Sequence, residues 1–166
     1  MSSMFCYCLA CKSGSEDKVA RYLEKRFGYK AMAPVYQKRE KKQGAWYIKK
    51  YPMMVGYVFF FSLEMCDRKS IARVDDVYKL LTYDDGSAEL AGGDKTFAEW
   101  LYGMDGDIGI SRVFMENQRI KVIEGPLLGY EGSILKIDRR KQSAMVRFKV
   151  GSVVRNVWLS YDLITS

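Results

Sequence analysis

Residues 118–148 read QRIKVIEGPLLGYEGSILKIDRRKQSAMVRF, and this stretch decides the fold class of the C-terminal part. Apolar and polar residues alternate on both sides of Gly125-Pro126, Gly129 and Gly132, as expected of short strands joined by tight turns. Glycine suits such turns because it adopts positive φ angles at little cost. The pattern predicts a small β-barrel. Its core candidates are Val122, Ile134, Ile137, Met145 and Val146.

The same pattern continues beyond residue 148. Strands are predicted at 119–123, 133–138, 144–150 and 153–159, with Gly151-Ser152 as a two-residue turn of type II′.

The N-terminal part has a different pattern, in which strands and helices alternate. Residues 4–10 are strand-like, and Ser13 with Glu16 forms a capping-box pattern that opens a helix ending at Gly28. GYVFFFSL at 56–63 predicts a central strand buried on both faces. A second helix is expected to begin at a cap supplied by Asp94. The order of elements predicts an α+β domain built on an antiparallel sheet.

Between these elements, Lys38 to Gly44 is predicted to be a basic loop. The Gly- and Asp-rich residues near 106 lack periodicity and are placed in a linker. The predicted organisation is an N-terminal domain at 1–105, a linker at 106–113 and a C-terminal domain at 114–166.

The charge of the chain is +7 and is unevenly distributed. Residues 37–50 carry six basic side chains against Glu40 alone, and residues 134–149 carry six against Asp138 alone. Two basic patches on separate segments indicate an extended polyanion such as nucleic acid. The alternative is that either patch is only a solvated surface.

Residues with the usual chemistry of enzymes are scarce. Histidine is absent, and the phosphate-binding motifs GxGxxG and GxxxxGK[ST] do not occur. Of the four cysteines only Cys8-x-x-Cys11 has the spacing of a metal-binding pair, so buried thiols in a reducing compartment are favoured over zinc. We expect no enzymatic activity, no cofactor and no metal.

The stretch at 118–148 resembles the KOW motif, and residues further upstream resemble the NusG N-terminal (NGN) domain. The KOW resemblance rests on Val122, Glu124-Gly125-Pro126, Gly129, Gly132, Ile134 and Ala144. The NGN resemblance rests on Tyr7, Ser13-Gly14, Val19 and Gly56-Tyr57-Val58. Together they resemble the NusG family of transcription elongation factors, which implies an NGN domain followed by a small five-stranded KOW β-barrel.

Some positions depart from the usual pattern of the family. Cys6 stands where tryptophan is usual, Met54 replaces an aromatic residue, and Val55 replaces the proline before Gly-Tyr. The acidic stretch with Phe97 to Leu101, the short linker at 106–111 and the basic turn at 138–141 are more similar to the LoaP group of specialised antiterminators. This resemblance implies a factor that promotes processive antitermination.

The resemblance also implies partners. The NGN domain would bind the clamp helices of the largest RNA polymerase subunit through Tyr7, Ala10, Met54 and Tyr57. For Tyr7 and Tyr57 a place in the core is the alternative. The predicted contacts to non-template DNA are of two kinds. Two of them match basic positions used that way in the family, namely Lys12 and Lys18. The others lie on the basic loop beside Trp46 and Tyr47, namely Lys38, Arg39, Lys41 and Lys42.

In the LoaP-type interpretation the KOW barrel binds a nascent RNA hairpin. The residues expected to contact it are Arg119, Lys121, Lys136, Arg139, Arg140, Lys141, Arg147 and Lys149. In general NusG proteins the barrel instead binds ribosomal protein or Rho. An RNA partner and a protein partner are therefore both kept as alternatives for this barrel. A ribosome-associated KOW protein is a further alternative. We expect a cytoplasmic monomer without a membrane segment.

Overall fold

A computed structural model of the chain describes residues 4–164. In chain order its elements are β1 (Phe5–Cys11), α1 (Glu16–Phe27), β2 (Lys30–Met32), β3 (Val35–Lys42), β4 (Ala45–Pro52), β5 (Tyr57–Ser62), α2 (Arg68–Ala72), β6 (Val77–Leu80), α3 (Gly93–Gly103), β7 (Asp107–Ile108), β8 (Ser111–Glu116), β9 (Arg119–Glu124), β10 (Ile134–Asp138), β11 (Ser143–Val150) and β12 (Val153–Leu163). They fall into two compact units. Unit 1 comprises the residues up to Pro34 together with Met54–Gly106, and unit 2 comprises Val35–Met53 together with the residues from Asp107 onward.

Unit 1 is built on an antiparallel sheet with the strand order β2-β5-β1-β6. The central strand β5 is buried from Val58 to Phe61, so the predicted central strand is confirmed. Phe60 stacks on Tyr7 and Tyr29, and the same core receives Val19 and Leu23 from helix α1. The α+β class of the N-terminal part is therefore confirmed.

The helix ends in unit 1 correct two expectations. Helix α1 ends as predicted, with Gly28 in the left-handed conformation at φ 74°. It begins at Glu16 rather than directly after Ser13, because Gly14 has φ +92° and lies outside the helical region. The Glu16 carboxylate accepts hydrogen bonds from the N–H groups of Gly14 and Gly56. Helix α3 begins at Gly93, so Asp94 lies in its first turn and is not its cap.

Unit 2 contains a curled five-stranded sheet with the order β10-β11-β12-β8-β9, and the predicted KOW-type barrel class is confirmed. Gly125 has φ +108°, and a Cβ atom there would lie 2.7 Å from the Cα of Ser111. The predicted core residues Val122 and Val146 are buried, whereas Met145 lies on the outward-facing set of β11 and is only half-buried. Gly151, in the predicted turn, has φ +58°.

The second sheet of unit 2 has the order β4-β3-β7. Residues 38–42, predicted to lie in a loop, form most of strand β3, and only Gln43-Gly44 make the turn. The predicted linker at 106–113 contains β7 and the first residues of β8. The domain boundaries stay a prediction, and their outermost residues, 1–3 and 165–166, lie outside the described residues. Within residues 4–164 no helix is long and apolar enough to cross a membrane.

Candidate nucleic-acid interface

The β3–β4 hairpin has two faces with different partners. Residues that pair in register share a face, and Arg39 pairs with Ile48 and Lys41 with Trp46. The opposite face carries Lys38 and Lys42, together with Glu40, Tyr47 and Tyr51. The four basic residues predicted on this segment are therefore divided into two pairs that point in opposite directions.

Glu40 orders the second face. Its carboxylate accepts hydrogen bonds from the hydroxyls of Tyr51 and of Tyr47, the latter at 3.2 Å. The Tyr51 hydrogen bond is the main reason why the pKa of Glu40 is lowered. The same bond raises the pKa of Tyr51 to about 12. The only carboxylate of this basic segment is thus held by two neutral hydroxyls.

Arg39 fixes the first face against strand β12. Its guanidinium Nη1 lies 2.7 Å from Oδ1 of Asp162, and its Nη2 donates to the carbonyl of Tyr161. Its backbone N–H donates to the hydroxyl of Ser160 at 3.0 Å. Arg39 is therefore already engaged, and its main effect is to position the hairpin beside the barrel.

The turn between β10 and β11 is ordered in a similar way. The Asp138 carboxylate accepts the backbone N–H of Lys141 at 3.1 Å, and the carbonyl of Gln142 accepts the N–H of Tyr161 at 2.9 Å. Arg139, Arg140 and Lys141 are all exposed on this turn. The backbone is held while the three cations face solvent.

A cleft of about 430 Å³ lies where the hairpin and this turn meet within unit 2. It is lined by Arg39, Trp46, Arg140, Lys141 and Gln142. Trp46 is 65% exposed. Sequence reasoning named the basic residues and the tryptophan. It missed Gln142, Ser160 and Asp162, which carry no signal of a site.

The other predicted RNA-contacting cations form two groups on the barrel sheet. Lys136, Arg147 and Lys149 are exposed on β10 and β11, where Lys136 pairs with the outward-facing Met145. Arg119 and Lys121 lie on β9, at the other end of the strand order. Lys121 also lies 3.9 Å from Glu116, so this second group is partly neutralised.

The four residues matched to the polymerase contact form two pairs that differ in burial. Ala10 and Tyr57 pair in register on β1 and β5 and are both half-buried. Tyr7 and Met54 are buried at 3% exposure each, and the Tyr7 hydroxyl accepts the N–H of Cys66. Tyr7 thus lies in the core, which was the alternative left open, and burial raises its pKa.

The two remaining predicted DNA contacts lie around the start of helix α1. Lys12 and Lys18 are both exposed. The Lys18 ammonium lies 3.0 Å from the Asp76 carboxylate, which also accepts from the Ser15 hydroxyl. These hydrogen bonds lower the pKa of Asp76. Lys18 would have to leave this partner to contact a phosphate.

The cysteines of β1 are free thiols in the core, as the sequence predicted. Burial raises the pKa of Cys6 and of Cys11 to about 11, and that of Cys8 further still. Cys11 packs in the cluster of Tyr7 and Leu9, whereas the alternation of the strand turns Cys8 to the other face. Across residues 4–164 no group of three or more potential ligands is arranged to hold a metal ion.

Comparison with known proteins decides the family. The family model described as transcription termination factor NusG matches residues 5–92, more than half of the 166 residues. The chain belongs to the NusG family. The match covers β1 to β6 and therefore includes the β3–β4 hairpin.

A solved structure on domain interaction in Thermotoga maritima NusG is similar over 95% of this chain and 94% of that chain. Its TM-score is 0.59 and its sequence identity is 20%, so the likeness shows the fold alone. No curated protein matches the sequence. The protein is a NusG-family transcription factor whose C-terminal part has the fold of the family.

Proposed function

We propose that this NusG-family factor binds RNA polymerase and promotes processive antitermination, and that its barrel binds an RNA hairpin in the nascent transcript. The observation that carries the proposal is the set of exposed cations on the barrel of unit 2. Its members are Arg119, Lys121, Lys136, Arg139, Arg140, Lys141, Arg147 and Lys149.

The β10–β11 side of the barrel is the better candidate for the RNA contact. Lys136, Arg147 and Lys149 lie on adjacent strands, and the turn at 139–141 adds three more cations at the end of the same two strands. RNA duplexes are recognised mainly through their shape, phosphates and 2′-hydroxyls, for which a rigid row of cations is suited. The partly neutralised pair on β9 would contribute less.

The proposed polymerase contact lies on unit 1. Ala10 and Tyr57 adjoin each other on neighbouring strands and are accessible enough to meet a helix. Met54 would support this surface through its carbonyl, which accepts the N–H of Tyr57, whereas Tyr7 lies on the opposite face of β1 and would act only by stabilising the strand. Lys12, Lys38, Lys41 and Lys42 remain proposed contacts for exposed DNA, because all four cations have side chains that reach solvent.

The effect on termination needs no chemistry. A factor that binds the elongating form of the polymerase more tightly than the paused form shifts the population towards elongation. Recognition of an RNA hairpin would restrict this effect to transcripts that contain it. Ribosomal protein or Rho as the partner of the barrel would instead indicate a general elongation factor.

The direct test is binding of the full-length protein to the RNA leader upstream of its own gene, titrated in salt. The variant R139A/R140A/K141A should lose most of the affinity and show a smaller salt dependence, because fewer counterions are released. A matched control, R21A/K25A/R26A, removes the same charge from exposed positions of helix α1. Equal weak binding of the leader and of an unrelated hairpin would contradict the proposal.

A second test measures read-through in transcription with purified RNA polymerase. Templates carry a terminator downstream of the leader or of a scrambled leader. Read-through should rise with added protein only when the intact leader is present. A rise in read-through on both templates, or on neither, would contradict leader-dependent antitermination and leave only a general NusG-family factor.

A further inference from the structure

We propose that the cleft lined by Trp46, Arg140 and Lys141 binds one unpaired nucleotide of the RNA. Its base would stack on Trp46 and its flanking phosphates would lie against the two cations. This inference rests on the proposed RNA binding and names the part of the RNA that is read. A bulged or loop nucleotide is therefore the expected ligand.

The cleft has the dimensions of a small binding site. Its volume of about 430 Å³ falls within the roughly 300 to 1,000 Å³ of ligand pockets in general. One wall is the hairpin face that carries Arg39 and Trp46, and the other is the β10–β11 turn. Both walls belong to unit 2 and each is tied to strand β12, the hairpin through Arg39 and Asp162 and the turn through the Gln142 carbonyl, which accepts the N–H of Tyr161.

Trp46 supplies the stacking surface. Its side chain is 65% exposed, and the Nζ atom of Lys41, its partner in register, lies 5.8 Å from the ring centroid. A single exposed aromatic residue is common on protein surfaces. An exposed indole beside a cation in a cleft walled by further cations is the arrangement that binds unpaired bases.

The opposite wall supplies charge and a polar group. Arg140 and Lys141 are exposed, and neither side chain forms an ion pair within residues 4–164. The side-chain amide of Gln142 can both donate and accept hydrogen bonds at the edge of a base. Its backbone is held at φ +48° by the turn and by the hydrogen bond from Tyr161.

A paired base cannot use this site, because its faces are already covered by its neighbours in the stack. Unpaired nucleotides in bulges and loops expose a face, and proteins read them by stacking on aromatic side chains. The duplex stem would meet the outward cations of β10 and β11, next to the cleft. One RNA hairpin would then bind both surfaces at once, with its unpaired nucleotide in the cleft and its stem on the cations of β10 and β11.

The test compares two labelled RNA hairpins that share one stem taken from the leader upstream of the gene, the first with a single bulged adenosine and the second fully paired. Fluorescence anisotropy with the full-length protein at fixed salt should show roughly tenfold tighter binding of the bulged hairpin, from stacking of one base. Trp46→Ala should abolish this preference and leave binding of the paired hairpin unchanged. Trp46→Phe should retain most of the preference.

Tyr78→Ala is the matched control, because Tyr78 is 69% exposed and lies on β6 in unit 1. It should leave both affinities unchanged. Binding of the two hairpins with equal affinity would overturn the cleft proposal while RNA binding stands, and binding of neither would overturn both. An equal preference for a bulge in a DNA hairpin would overturn the assignment to RNA.

Discussion

Strands β4 and β5 follow each other in the chain and are held by opposite means. Strand β5 is buried from Val58 to Phe61 and stabilised by apolar packing. Strand β4 is exposed from Ala45 to Lys50, and its stability comes from backbone pairing with β3 and from polar contacts of their side chains. A strand can thus be specified by what it buries or by its partners, and only the first kind is evident from a short stretch of sequence.

The buried strand should be the more sensitive of the two. Phe60→Ala removes a fully buried ring that stacks on Tyr7 and Tyr29, and should lower the free energy of unfolding by about 3 to 5 kcal/mol. Equilibrium denaturation of the full-length protein measures this change. A loss below about 1 kcal/mol would mean that the site collapses around the missing ring.

A backbone constraint in the barrel should have the next largest effect. Gly125→Ala combines a positive φ with a Cβ atom 2.7 Å from the Ser111 Cα, and should cost about 1 to 3 kcal/mol of stability. Gly129→Ala is the control, because φ is also positive there but no atom lies within 4 Å of the added Cβ. Equal losses for both variants in thermal unfolding would show that the close approach to Ser111 has no effect.

The stability of the exposed hairpin should instead depend on pH. The lowered pKa of Glu40 means that its contribution to stability is complete above the pKa of the unfolded chain and is lost as pH falls through the folded value. Tyr51→Phe removes the hydrogen bond that is the main cause of this lowering, so the pKa of Glu40 should rise towards its usual value. Carboxyl NMR titration of the two proteins checks this, and an unchanged Glu40 titration would refute it.

Trp46→Ala should have the smallest effect on folding. The side chain is mostly exposed, so the free energy of unfolding should change by no more than about 0.5 kcal/mol. Denaturation under the conditions used for Phe60→Ala gives the comparison. A loss as large as that of a core residue would show that the indole packs inside the unit, and its proposed role in binding would need another explanation.

The elements that the sequence predicted correctly are those with local causes. The apolar run of β5 and the glycine that ends α1 need no information from elsewhere in the chain. Residues 38–42 of strand β3 were predicted to lie in a loop because their charged side chains show no apolar alternation. The partners of its polar residues, such as Asp107 for Gln37 and Asp162 for Arg39, lie far away in the sequence.

The candidate site could be predicted only in part for the same reason. Residue type indicated that Arg140 and Lys141 would be exposed cations. Nothing in the pattern indicated that they would face Trp46, because that depends on the contact of Arg39 with β12. Tyr7 was ambiguous because β1 is covered on both faces, so that its neighbours Cys6 and Cys8 are buried as well.

The two faces of the β3–β4 hairpin make the segment vulnerable to a particular genetic change. Loss of a single codon within β3 would preserve the reading frame and nearly all of the composition, yet it would shift every later residue of the strand to the opposite face. Glu40 would turn towards the side now used by Arg39, and Lys41 would turn away from Trp46. Substitutions should therefore be tolerated along this hairpin far more often than single-residue deletions.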